Sequence, residues 1–226
     1  MLYAVCAVAG VCAGAAGLAL EPFLLRIRDS RNRSDEEDSP EPAGSSGPTQ
    51  IERRLPAEQL VLPLLLGGVF ALLASRYGWT WRREELILAC LYAAILFLIA
   101  VIDFHTRLVL NVLSYPAAAI GLAGSALWAG IGFPSALLGA VSALALFFVI
   151  EIVGRGAMGR GDTKLAGVIG AMRGFPAVWQ ALVAGIVVGG IFAAGLLVTG
   201  RSRRSYFAYG PSLAIGAVIS MLLTTK

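Results

Sequence analysis

Charge is scarce in this chain: only 14% of its 226 residues are Asp, Glu, Lys or Arg, where soluble domains carry about 25%. With 58% hydrophobic residues and a mean hydropathy of +0.78, that shortage excludes a water-soluble globule and points to an integral membrane protein. Cysteine is scarce as well. Cys6, Cys12 and Cys90 all lie inside apolar runs with no C-x-x-C pair, which argues against a zinc site and says little about redox compartment. The sole histidine, His105, has no second ligand of the right kind nearby, so it reads as an interfacial residue, and neither metal nor cofactor is expected. The formal net charge of +4 invites a nucleic-acid partner, but basic residues are not interleaved with aromatics as in single-strand binders. In a polytopic protein they report topology instead. The first run, MLYAVCAVAGVCAGAAGLAL, lacks a basic n-region and a clean small-residue cleavage site before Glu21-Pro22, and is read as a retained span, not a signal peptide.

Long apolar runs are what the chain has in abundance. At about 20 residues per spanning helix, they predict an all-α, polytopic membrane bundle of about seven to eight segments. Residues 1–25 hold the first span. Residues 26–56 are charged and rich in Ser, Pro and Gly, too polar to bury a core, and are expected to be a disordered loop. Residues 57–226 make the main bundle, with spans at about Gln59–Ser75, Leu86–Ile102, Val112–Ile131, Pro134–Val153, Ala177–Val198 and Ser212–Leu223. Between them, TKLAGVIGAM, just before Arg173-Gly174, is about ten residues or roughly 15 Å as a helix, against a hydrocarbon core of about 30 Å. It is expected to be a short or partly inserted helix packed inside the bundle.

Topology follows from the basic residues. Arg26, Arg28, Arg31, Arg33, Arg53, Arg54, Arg107, Arg155, Arg160, Lys164, Arg201, Arg203 and Arg204 fall on one alternating side, which leaves Arg76, Arg82, Arg83, Arg173 and Lys226 on the other. The positive-inside rule makes the first side cytoplasmic, with the N-terminus outside and the 26–56 loop inside, provided the short helix counts as a crossing.

Ionisable groups in apolar regions are costly and usually functional or paired. Here they are Asp103 at the inner end of LIAVIDFHTRLVLN, Glu151 near the inner end of its span, and Asp162 in MGRGDTKLAG. The topology puts Asp103 and Asp162 at the same cytoplasmic depth. Two facing aspartates can share one proton, so that one activates water while the other polarises a carbonyl. Gly159 and Gly161 would then let the Asp162 loop approach an extended substrate backbone, and Lys164 would bias the acid or reach lipid headgroups. On spacing alone other readings stand equally open. Asp162 sits where a helix cap belongs, Asp103 can pair with Arg107 at i+4, and Glu151 reads as a polar contact of the bundle. A transporter that relays protons through the two acids is a further possibility, although no internal repeat supports it; a pure assembly scaffold is another.

MGRGDTKLAGVIGA resembles the G-x-G-D-x-K-L signature of the prepilin leader peptidases, membrane aspartic proteases of the G-x-G-D class. In that family the first aspartate ends a span and an I-P-N element follows; here Asp103 is followed by Val109, Leu110 and Asn111. YFAYGPSLAIGA is similar to the family's F-G-P-F-L-A-x-G stretch, with Gly210, Pro211, Leu213, Ala214 and Gly216 in place. The resemblance runs from about Arg53 to the C-terminus. It implies a catalytic pair, Asp103 and Asp162, with Gly159, Gly161, Lys164 and Asn111 shaping the site. It also implies substrates that are type IV prepilin-like precursors, cut between a basic leader and an apolar helix at the cytoplasmic face of the inner (plasma) membrane. Many members that also N-methylate the new terminus carry two C-x-x-C pairs after the first span. Residues 26–56 contain no cysteine, so zinc is excluded there; a bifunctional peptidase/N-methyltransferase stays open as the alternative to a peptidase alone. Leu110 stands where the family has Pro, and Gly156-Ala157 where an acid is common. Oligomeric state and the pathway served, whether pili, secretion or competence, have no signal in the sequence.

Overall fold

The computed structural model describes residues 6–16, 56–77, 83–106, 109–127, 131–154, 159–198 and 209–223. Among them are eight helices and no strand: α1 (Cys6–Ala16), α2 (Pro56–Tyr77), α3 (Arg83–Thr106), α4 (Asn111–Leu127), α5 (Phe133–Val153), α6 (Arg160–Arg173), α7 (Ala177–Val198) and α8 (Gly210–Leu223). Three stretches, Glu85–Phe104, Phe133–Val153 and Ala177–Leu196, are long and apolar enough to cross a membrane. Their outward surfaces carry large apolar side chains, among them Leu138, Val141 and Phe148 on α5 and Val187, Ile191 and Phe192 on α7. Apolar residues turned outward over whole helix faces suit lipid, not water, so the chain is a membrane protein. Residues 26–55 of the expected loop lie outside the described residues, as do residues 1–5 and 17–25 of the first span.

Helix α6 is the axis of the bundle. Thr163 and every residue from Leu165 to Arg173 are buried, and α4, α5, α7 and α8 pack around it. Small residues make this possible. A methyl group on Gly170 would come within 2.6 Å of the Gly139 carbonyl carbon, and one on Gly167 within 2.6 Å of Leu144, so α5 and α6 touch nearly backbone to backbone. α7 and α8 meet the same way, through Gly185 and Gly216. Without a hydrophobic driving force between helices in lipid, such close approach is what holds them together.

Residue contacts fix the helix directions. Gly139 lies against Gly170 while Glu151 reaches Thr163, so α5 and α6 run antiparallel. Gly121 lies against Met172 while Asn111 meets Lys164, so α4 runs parallel to α6. The starts of α4, α6 and α8 therefore gather with the ends of α3 and α5 at one pole of the bundle. At the opposite pole, the buried Arg173 at the C-terminus of α6 donates from Nε to the Ser220 hydroxyl (3.2 Å) and from its terminal nitrogen to the Ser220 carbonyl (3.1 Å). A cation at a helix C-terminus also complements the helix dipole. Arg76 Nε donates to the Leu222 carbonyl at the same pole, at 3.0 Å.

Among the boundaries that differ from the sequence expectation, two have a visible local cause. The fourth span was expected to continue to Ile131, but α4 is described only to Leu127, and Ile131 lies in a turn before Gly132, whose φ of 77° belongs to glycine. The short helix was expected to begin near Thr163, but α6 has 14 residues and starts at Arg160. Gly174, with φ 67°, ends it and donates its N–H to the Gly170 carbonyl.

Candidate active site

Asp103 occupies the last turn of α3 and is 4% exposed. Its Oδ2 accepts the backbone N–H of Gly210, the first residue of α8, at 3.0 Å. The carboxylate thus sits at a helix N-terminus, where free N–H groups and the positive end of the dipole favour an anion. Any side chain at 210 would run into that carboxylate. Glycine is required here for close approach: it lets α8 begin against Asp103.

Asp162 is the third residue of α6. The helix's N-cap is Gly159, whose extended backbone supplies no side-chain cap, so Asp162 lies inside the first turn and not at the capping position expected of it. The Asp162 N–H donates to the Gly159 carbonyl at 3.0 Å. The Asp162 carboxylate lies within electrostatic reach of Asp103. Two acids far apart in sequence are therefore brought to one pole, one on α3 and the other on α6.

The residues around Asp162 divide the work. Gly161 is a packing glycine: a methyl there would come within 2.8 Å of the Val109 side chain, in the segment that leads into α4. Gly159 is exposed, and among the described residues the nearest atom to an added methyl is Asp162 Oδ2 at 3.6 Å. Lys164 Nζ donates to Asn111 Oδ1 at 2.6 Å and stands 5.9 Å from the centre of the Tyr115 ring, a cation–π contact. This bond ties the first turn of α4 to the first turn of α6. Glu151, from the last turn of α5, accepts the Thr163 hydroxyl at 2.9 Å and lies 3.5 Å from Arg160 Nε.

Sequence reasoning did not find the role of Gly210 or the partners of Glu151. A glycine before proline at a helix start was visible, but its reason is a contact from α3. Glu151 stood out as an acid in an apolar run, while Thr163 and Arg160 become its neighbours only through the antiparallel register of α5 and α6. The Arg107 side chain and that of His105 lie outside the described residues, and with them the expected Asp103–Arg107 pair.

A family model described as the type IV leader peptidase family matches residues 90–194, a stretch that holds both acids. A prepilin leader peptidase/N-methyltransferase of Bacillus subtilis is 30% identical over 179 residues, covering 76% of this chain and 67% of that protein. Proteins of the same name from Neisseria gonorrhoeae and Pseudomonas aeruginosa are each 29% identical, covering 76% and 79% of this chain and 58% and 61% of their own lengths. The chain thus spans between 58% and 67% of these curated relatives. No solved structure matches it. Since the matched stretch carries the two-aspartate pole itself and the wider similarity extends over three quarters of the chain, this protein belongs to the type IV leader peptidase family.

Proposed function

We propose that the chain is an aspartic endopeptidase that removes the basic leader from type IV prepilin-like precursors within the membrane. One observation carries this reading: Asp103 and Asp162, from separate helices, share one pole of the bundle within electrostatic reach of each other, beside the exposed Gly159. Like charges at close range do not both ionise cheaply, so facing aspartates can hold one proton between them. The ionised acid takes a proton from water, whose oxygen attacks the scissile carbonyl, while the protonated acid donates a hydrogen bond to the carbonyl oxygen. Collapse of the tetrahedral intermediate breaks the C–N bond, and the proton taken from water passes to the leaving amine.

The direction of insertion supports the same reading. Arg160 and Lys164 lie at the acid pole, and in the sequence they belong to the side that collects 13 of the 18 basic residues. By the positive-inside rule the acid pole is then cytoplasmic. A precursor whose basic leader stays in the cytoplasm while its apolar helix lies in the bilayer presents its junction at that depth.

The test is to reconstitute the full chain in vesicles with a pilin-like precursor and to map the product by gel shift, N-terminal sequencing and mass. Cleavage between the basic leader and the apolar helix is the expected result. An intact precursor, or cuts scattered along it, contradicts the proposal. The product's mass also tells whether a methyl group has been added, as the relatives' shared name would have it.

A further inference from the structure

Glu151 is an acid that the hydrolytic scheme does not use. Its side chain is 18% exposed and ends in the first turn of α6, on both sides of Asp162. One oxygen accepts the hydroxyl of Thr163, the residue after Asp162, and the other lies near the guanidinium of Arg160, two residues before it. The two contacts differ in weight. Thr163 is 8% exposed, so its hydroxyl needs a partner when buried; Arg160 is 90% exposed, and an ion pair in that setting adds little.

The start of α6 makes this clamp significant. The first N–H groups of any helix lack partners within it, and Gly159 supplies no side chain to satisfy them. Asp162 lies in that turn, but a carboxylate that binds water and exchanges protons cannot also serve as a fixed cap through a reaction cycle. Glu151 brings a second negative group to the positive end of the helix and grips the turn through side chains, leaving the Asp162 carboxylate free. Its own base is rigid, because α5 lies against α6 through Gly139, Gly170 and the Leu144–Gly167 contact.

We propose that Glu151 is a positioning residue, which fixes the first turn of α6 so that Asp162 stays aligned with Asp103. The catalytic half of this proposal rests on the peptidase reading; the clamp itself does not.

Two readouts on the full chain in micelles separate the halves. Amide hydrogen exchange over residues 160–164 reports the clamp. Glu151→Ala and Thr163→Val should each speed exchange there about tenfold or more, the double variant no further, with α7 unchanged. Glu151→Gln and Thr163→Ser, which keep an acceptor and a donor, should restore protection. Cleavage of a pilin-like precursor reports the positioning: Glu151→Ala should lower kcat about tenfold with KM little changed, and Glu151→Gln should recover most of the loss. Unchanged exchange in Glu151→Ala and Thr163→Val overturns the clamp. Faster exchange with unchanged kcat overturns the positioning role. A wild-type chain that is protected at 160–164 but cleaves no precursor upholds the clamp and overturns the peptidase reading together with the positioning role.

Discussion

An alanine at position 210 would drive its methyl group into the Asp103 carboxylate. Gly210→Ala is therefore expected to cost about 1–3 kcal/mol of overpacking and, because the strain falls on Asp103 itself, to lower precursor cleavage more than it lowers the melting temperature. Melting in micelles and cleavage rates, measured side by side, check this. At the same scale, Lys164→Ala removes the bond to Asn111; a loss of about 1 kcal/mol or less is expected for one partly exposed hydrogen bond, read as a small drop in melting temperature. The two aspartates were legible in the sequence because acids are rare in apolar runs and each one there needs a reason. Gly210 was not legible as a contact, since its reason is a carboxylate on α3, more than a hundred residues earlier. The alternative reading of Asp162 as a helix cap does not hold, because the helix begins at Arg160 and Gly159 is its N-cap.

At the scale of helices, the pairings rest on glycines whose neighbours are backbone. Gly170→Ala would set a methyl group 2.8 Å from Ala140 Cα. Prising α5 from α6 should cost about 1–3 kcal/mol, more than the gain of up to about 1 kcal/mol from better helix propensity. Gly68 on α2, with nothing within 4 Å of an added methyl, is the control: Gly68→Ala should leave melting unchanged or raise it slightly. Hydropathy located the apolar helices because lipid-facing residues declare themselves. It placed the start of α6 too late, because Arg160 and Gly161 are not apolar, and their helical conformation is supported by contacts with Glu151 and Val109 from other elements. The end of α6 was visible, since Gly174 follows Arg173 and only glycine readily takes the φ found there.

For the whole molecule, the proposed orientation places Arg160 on the cytoplasmic side and Phe133 at the far pole. In a chain with Cys6, Cys12 and Cys90 replaced, Arg160→Cys should react with a membrane-impermeant thiol reagent only from the cytoplasmic side, and Phe133→Cys only from outside. Reaction of both from one side would refute the topology. The all-helical bundle was readable from composition and run length alone. The meeting of α3, α6 and α8 at one pole was not, because it depends on which helices lie side by side, and periodicity carries no such information. The central claim is that Asp103 and Asp162 hydrolyse the peptide bond as a unit, and the most direct test is the rate of precursor cleavage by wild type, Asp103→Asn, Asp162→Asn and the double variant, each verified as inserted and folded. The account predicts that either single change lowers the rate by about 10²-fold or more and that the double variant is scarcely worse than the singles, as for groups that act together. Near-normal cleavage by either single variant, or losses that multiply in the double, would contradict it.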